Sequence, residues 1–334
     1  MSNSSNIKGL SAGAVSAALT VVLLLINIHV PIIGGAALFF IGTPVAYVAV
    51  KHKFAFSCIS YAAAVLIMLI ITGDVFGGFI ISAVKILPGI AIGYCIKNKY
   101  SFGASAAASI VTVLFGFLLQ ILILNATTSS GNILLDVINQ SADAMKEIAA
   151  AAAANLGETN AAVTAAVSQF NTAIDAAKNS LAFYMPAMIM IVALVIGYAV
   201  YMCAVFVLSR AGIENIDYTK FSMIKLPKPL AYISAILFIV ASMSFDTTVY
   251  TQGLKNTVTV LVFIMAVCGL SFIDYKLSAM VKSGYARFGI YAAVALFGYM
   301  FIYLIFIALT IAGMVDAVYD FRKIKEAGDS GEDK

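Results

Sequence analysis

Charge is what this sequence most lacks. Asp, Glu, Lys and Arg make up 11% of the 334 residues, where an average globular protein carries about 25%. Apolar residues reach 62%, too much for a soluble fold of this length to hide, so the solvent is a bilayer. Net charge is only +4, which gives nucleic acid nothing to bind. The two histidines, His29 and His52, are too few for a histidine metal cluster. Four cysteines, Cys58, Cys95, Cys203 and Cys268, lie inside apolar runs with no CxxC pair; they read as small buried hydrophobes, not as a disulfide or metal framework. Also missing are a GxxxxGK[ST] phosphate loop, an HExxH helix and a GxSxG elbow. The chain therefore does not hydrolyse ATP by the phosphate-loop route and shows no recognisable hydrolase site. We expect no catalytic residues, no metal and no cofactor.

What the sequence has is apolar length. About 20 apolar residues cross a bilayer as a helix, and such runs follow one another at 9–29, 31–50, 54–72, 75–96 and 102–125. After a polar gap they resume at 182–209, 227–245, 257–278 and 288–315. Lys8 precedes the first run without a small-residue cleavage site and soluble domain after it, so that run reads as an uncleaved span. Short loops rich in Lys and Arg face the cytoplasm. With the N-terminus inside, those loops hold Lys51 and Lys53, then Lys97 and Lys99, then Arg210, Lys220, Lys225 and Lys228, then Lys276, Lys282 and Arg287. The short outer loops hold only Lys255. Nine crossings would strand Arg322, Lys323 and Lys325 outside. Splitting the last run into spans 285–302 and 303–321, paired in a tight hairpin, restores the rule with ten, and we prefer that count.

The fold class expected is therefore all-α: a polytopic transmembrane bundle of 9–10 spans with an outer-side helical hairpin insert. Five segments follow: spans one to five in 1–125, the Ala-rich extracytoplasmic insert 126–181, span six and a cytoplasmic loop in 182–229, C-terminal spans in 230–321, and a polar tail 322–334. In the insert, Leu134, Ile138, Met145 and Ile148 recur at helical spacing. Asn155–Leu156–Gly157 reads as a helix stop and Thr159 as the next N-cap, a helical hairpin that prolongs span five or span six; a solvated low-complexity linker is the plainer alternative. The setting is the cell membrane, and the partners are lipid and a second membrane protein or copy of the chain.

Ionisable side chains at membrane depth are the functional pointers, because each costs about 2.5–3.5 kcal/mol there. Lys85 falls inside the fourth span. Pro88 frees backbone carbonyls one turn back, so Lys85, Pro88 and Gly89 form a ligand-binding candidate for an anionic group. An ion pair with another span, or snorkelling, is the bland reading. Asp74 and Asp246 lie at outer ends and Asp274 near an inner end, where each caps or meets water. Asp316 and Asp320, four apart on one helix face, join Arg322 and Lys323 in a cytoplasmic end cluster that reads as an interfacial anchor or partner contact. Gly89 and Gly93 form a GxxxG pair, and Ala14 and Ala18 an AxxxA pair; both suit close helix approach, within the chain for Gly93 and toward a partner for Ala14 and Ala18. Tyr198, Tyr201, Tyr291, Tyr299 and Tyr303 read as packing and interface anchors.

The ending Gly313–Met314–Val315–Asp316–Ala317–Val318–Tyr319–Asp320–Phe321–Arg322–Lys323 resembles the C-terminal signature of the YybS-like family, bacterial membrane proteins of unknown function that finish in Gly-x-x-Asp…Asp-Phe-Arg. Pro44 before the Lys51–Lys53 loop, Leu87–Pro88–Gly89 with Gly93, and Phe221–Ser222–Met223–Ile224–Lys225–Leu226–Pro227 resemble further parts of it, with Ile224 where an aromatic is common. The first six spans are similar in size and order to substrate-binding subunits of energy-coupling-factor vitamin transporters. That likeness implies that Ala14 and Ala18 dock on a partner membrane subunit. The leading expectation is a non-enzymatic transport-type subunit that binds a small solute between its helices. A membrane scaffold acting through the outer hairpin and cytoplasmic loops is the alternative, and an intramembrane enzyme ranks third.

Overall fold

The computed structural model describes residues 2–127, 132–156, 161–213, 216, 219–244 and 248–322. The expected helix stop at Gly157, the N-cap at Thr159, and Asp246, Lys323 and Lys325 lie outside them. Among the described residues the chain is helical with no strand, and eight helical stretches are long and apolar enough to cross a membrane. It is an all-α polytopic membrane protein. It divides into two compact units, Met1–Tyr218 and Thr219–Lys334.

The first unit opens with α1, Ser2–His29. The second apolar run is not one straight helix: α2, Pro31–Ala37, passes through a 3-10 turn at Leu38–Phe40 into α3, Thr43–Lys51. Pro31 starts α2 at a position where its missing N–H costs nothing. Next, α4, Phe54–Thr72, stops on Gly73 at φ +64°, a left-handed cap that glycine adopts without strain. A π-helical turn, Val75–Ile80, leads into α5, Ile81–Lys97, followed by α6, Phe102–Thr127.

Side chains gather the basic loops of this unit at one end. The Lys53 ammonium donates to Asn6 Oδ1 at 3.1 Å, and that of Lys97 donates to the carbonyls of Ala49, at 3.1 Å, and His52. Lipid is as apolar as leucine, so helices in a bilayer associate through close van der Waals contact and interhelical hydrogen bonds. Ser60 bonds Ser16 at 3.0 Å, Ser57 the Val45 carbonyl at 3.1 Å, and Ser109 the Gly197 carbonyl at 2.7 Å. Leu24, Ile41, Val45, Met68 and Ile86 fill the core between them.

The polar insert resolves into α7, Ile133–Leu156, and the first half of α8, Ala161–Arg210, packed together. The insert and sixth run, which composition separates, share this one helix. From Val163 to Arg210 the helix has 48 residues, about 72 Å at 1.5 Å per residue, more than twice the ~30 Å of hydrocarbon. Ala142 and Ile174 are buried inside the α7–α8 pair, and Lys146 meets Asp175 at 2.6 Å. The expected apolar stripe is divided: Leu134 and Ile138 are half-buried, while Met145 and Ile148 face outward.

The second unit holds α9, Lys228–Met243, α10, Val249–Met280, α11, Gly284–Phe297, and α12, Ile302–Tyr319. Thr248 and Ser283 cap α10 and α11, each accepting a backbone N–H three residues on. At 16 residues α9 is apolar but too short to be one of those eight. The last long apolar run is two helices, parted by a 3-10 turn at Gly298–Phe301. They do not form the expected tight pair: α12 packs chiefly along α10. The reason is a glycine seam. A Cβ on Gly269 would collide with the Leu309 carbonyl, and one on Gly313 with the Met265 carbonyl, so the two backbones touch only because both side chains are absent.

Candidate functional site

Lys85 lies one turn into α5, and helix geometry tilts its side chain toward the N-terminal end of that helix. There its ammonium donates to Asn27 Oδ1 at 2.5 Å, and Asn27 in turn donates from Nδ2 to the Gly34 carbonyl at 2.7 Å. Asn27 is two residues from the end of α1, so the cation sits by the negative end of a helix dipole. Among the described residues no carboxylate pairs with it; the four ion pairs are elsewhere. An ammonium has three donors, and one is used.

Pro88 and Gly89 take no part in that contact. Helix α5 runs unbroken through Pro88, and both residues are buried. A Cβ on Gly89 would strike the Gly42 carbonyl, and one on Gly93 would press on Ala46 and Ala49. The GxxxG face therefore seats α5 on α3. The expected Lys85–Pro88–Gly89 grouping comes apart into one polar contact and two packing residues, because they face different neighbours. Ala14 and Ala18 are both exposed. The buried side of α1 is instead Gly13, Ser16, Ala17, Thr20, Val21 and Leu24, so the AxxxA face has no partner within the unit.

The end cluster differs most from its sequence reading. Helix α12 stops at Tyr319, and Asp320 caps it with φ +51°. Asp316 and Asp320 therefore do not share a helix face. The left-handed turn sends Phe321 and Arg322 back into the unit, where Arg322 is 5% exposed and Asp316 1%. This is not an interfacial anchor but an interior clasp. Arg322 meets Asp316 Oδ2 through Nε at 2.9 Å and Nη2 at 2.8 Å. Its Nη1 donates to the Ser222 carbonyl at 2.6 Å and to Ser271 Oγ at 2.9 Å, and Nη2 to the Cys268 carbonyl at 3.3 Å. Ser271 passes its own hydrogen to the carbonyls of Phe221, at 2.6 Å, and Ile224, at 2.9 Å. Lys225 closes the rim on Asp320 at 2.6 Å, and Phe272 lies 6.1 Å from Phe321 and under the guanidinium. A rigid planar fork with five donors is what such a ring of acceptors requires. Asp274, read as a cap, instead takes Arg287 at 3.2 Å and the Tyr291 hydroxyl at 2.9 Å. Tyr201 is fully buried in packing.

Asn27 and Ser271 were the residues sequence reading passed over; the only signal for either is a polar side chain inside an apolar run. Among the described residues no three His, Cys, Asp or Glu side chains converge as a metal site. The clasp joins the two stretches Phe221–Pro227 and Gly313–Arg322, the loop and the ending singled out as a signature. Neither the curated proteins nor the solved structures yield a match. A family model described as "Predicted membrane protein (DUF2232)" does match, over residues 18–317, and the chain belongs to that family.

Proposed function

We propose that the chain is a non-enzymatic, transport-type membrane subunit that binds a small anionic solute at the Lys85–Asn27 contact and leaves energy coupling to a partner. The observation that carries this is a cation at membrane depth held by a neutral amide instead of a carboxylate. A structural ion pair would supply its own counter-charge; here the counter-charge is left for a ligand. With no phosphate loop in the sequence, the energy comes from elsewhere. The six-span likeness to energy-coupling-factor substrate-binding subunits and the YybS-like ending accord with this reading, and the uncovered Ala14/Ala18 face suits a partner helix. By the charge rule the basic end and the N-terminus are cytoplasmic, in the plasma membrane, and the α7–α8 arm is outside.

The test compares wild type with Lys85→Gln and Asn27→Ala for uptake, and for small anions that copurify from mild detergent. One lost charge-assisted hydrogen bond, about 1.5–3 kcal/mol, predicts binding ten- to a hundredfold weaker. Full uptake by Lys85→Gln would overturn the reading. A scaffold role has its own support: Val137, Met145, Ile148 and Phe170 are exposed on the arm, Ile148 at 70%. Under that reading, replacing 133–178 with a short linker abolishes partner capture and leaves solute uptake intact.

A further inference from the structure

We propose that the groove between α1, α3 and the end of α8 holds one anionic phospholipid, at a site separate from the Lys85 contact. The groove encloses about 570 Å³ within the first unit. Lys8, Val15, Leu19 and Leu23 line it from α1, and Thr43 and Tyr47 from α3. From Lys8 to Leu23 it follows α1 for about 22 Å at 1.5 Å per residue, longer than the ~15 Å half-thickness of the hydrocarbon. That length takes one acyl tail and its headgroup. Val15 and Leu19 are 59% and 53% exposed, so the trough is open from the side, the direction from which a lipid enters.

Charge selects the headgroup. Lys8 stands exposed at one end of the groove. The Lys51 ammonium is 2.8 Å from the Tyr47 hydroxyl and 5.1 Å above that ring, which places it on the groove wall. Val207 also lines the groove and is one turn from Arg210, so α8 ends at the same place. Five of the six lysines in residues 1–127, all but Lys85, belong to this end, and the single carboxylate in that stretch, Asp74, follows the end of α4 remote from the basic loops. A phosphate is the complement of such an end. One helical turn further in, Thr43 is 5% exposed and its hydroxyl has no hydrogen-bond partner among the described residues. A buried donor without a partner costs stability, and this one lies at the depth where an ester carbonyl follows the phosphate. An apolar wall beyond it suits a tail and gives a free anion nothing to hold.

The experiment is native mass spectrometry of the full chain in mild detergent, titrated with phosphatidylglycerol, with phosphatidylcholine, and with phosphatidylglycerol plus excess inorganic phosphate. Phosphatidylglycerol should bind at least tenfold more tightly than phosphatidylcholine and resist the phosphate. Lys8→Gln/Lys51→Gln, both at exposed positions, should weaken it about thirtyfold, as two lysine contacts would. Lys53→Gln, whose ammonium is turned to Asn6, should not. Ala12→Phe, which fills the trough, should remove the lipid without lowering Tm in lipid-free detergent. Equal binding of the two lipids, or an anionic preference that survives the double substitution, would overturn the proposal. So would displacement by phosphate alone, which marks an anion site without a tail.

Discussion

At the scale of single residues, burial decides which charges matter. Lys146–Asp175 on the arm is a short ion pair with both partners substantially exposed, and water takes back most of what it offers; Lys146→Ala should cost no more than about 1 kcal/mol. Arg322 and Asp316 are the opposite case. With the guanidinium removed, a buried carboxylate and the carbonyls of Ser222 and Cys268 lose their partner together. Arg322→Gln should therefore destabilise the protein by about 3–5 kcal/mol, read as a fall in Tm of the detergent-solubilised chain. Arg322→Lys should not rescue it, because a single ammonium cannot reach the acceptors that the fork spans. The double variant Asp316→Leu/Arg322→Leu should fall less than the sum of the single losses, since neither charge is then abandoned. Asp316 Oδ1, the carboxylate oxygen that Arg322 does not reach, is buried without a partner among the described residues, which makes the clasp costlier to keep than its contact distances suggest.

At the scale of elements, glycines set how near helices come. Gly89 touches Gly42, and Gly313 touches Gly269, backbone to backbone. Gly89→Val or Gly313→Val must push two helices apart, and overpacking of this kind costs about 1–3 kcal/mol. Gly103, by contrast, has nothing near the position of its absent Cβ, so Gly103→Ala should be neutral or stabilising by up to about 1 kcal/mol. Melting curves of the three variants test the contrast. These elements were legible to different degrees. Hydropathy located the runs ending at His29, Lys51, Thr72 and Lys97 because a span must be apolar along its whole length. It left open whether the hairpin prolongs span five or span six, and the structure joins it to span six in α8, because the change from polar to apolar near residue 182 alters the solvent but not the backbone hydrogen bonding. It also missed the inward turn of Arg322. That turn depends on a left-handed Asp320 and on acceptors 54 and 100 residues away in the chain, a distance no local spacing encodes.

At the scale of the whole molecule, each unit carries its own organising polar feature: a lone cation under the α1–α2 corner in one, a closed arginine clasp in the other. The first unit has its basic loops at one end and the arm beyond the other, and this polarity makes the topology testable. In a Cys58→Ser background, a cysteine at Ser141 should react with an impermeant maleimide added to intact cells, and one at Lys99 only after permeabilisation. Reaction of Lys99→Cys in intact cells would invert the assignment of sides.

Helix α8 gives that polarity a mechanical meaning. One rod joins the Asp175 pairing on the arm to Tyr201, Ala204 and Leu208, buried near the basic end. Its single proline, Pro186, lies between them without ending the helix. A load applied to the arm thus arrives at the far face as tilt or rotation instead of being absorbed by a loop.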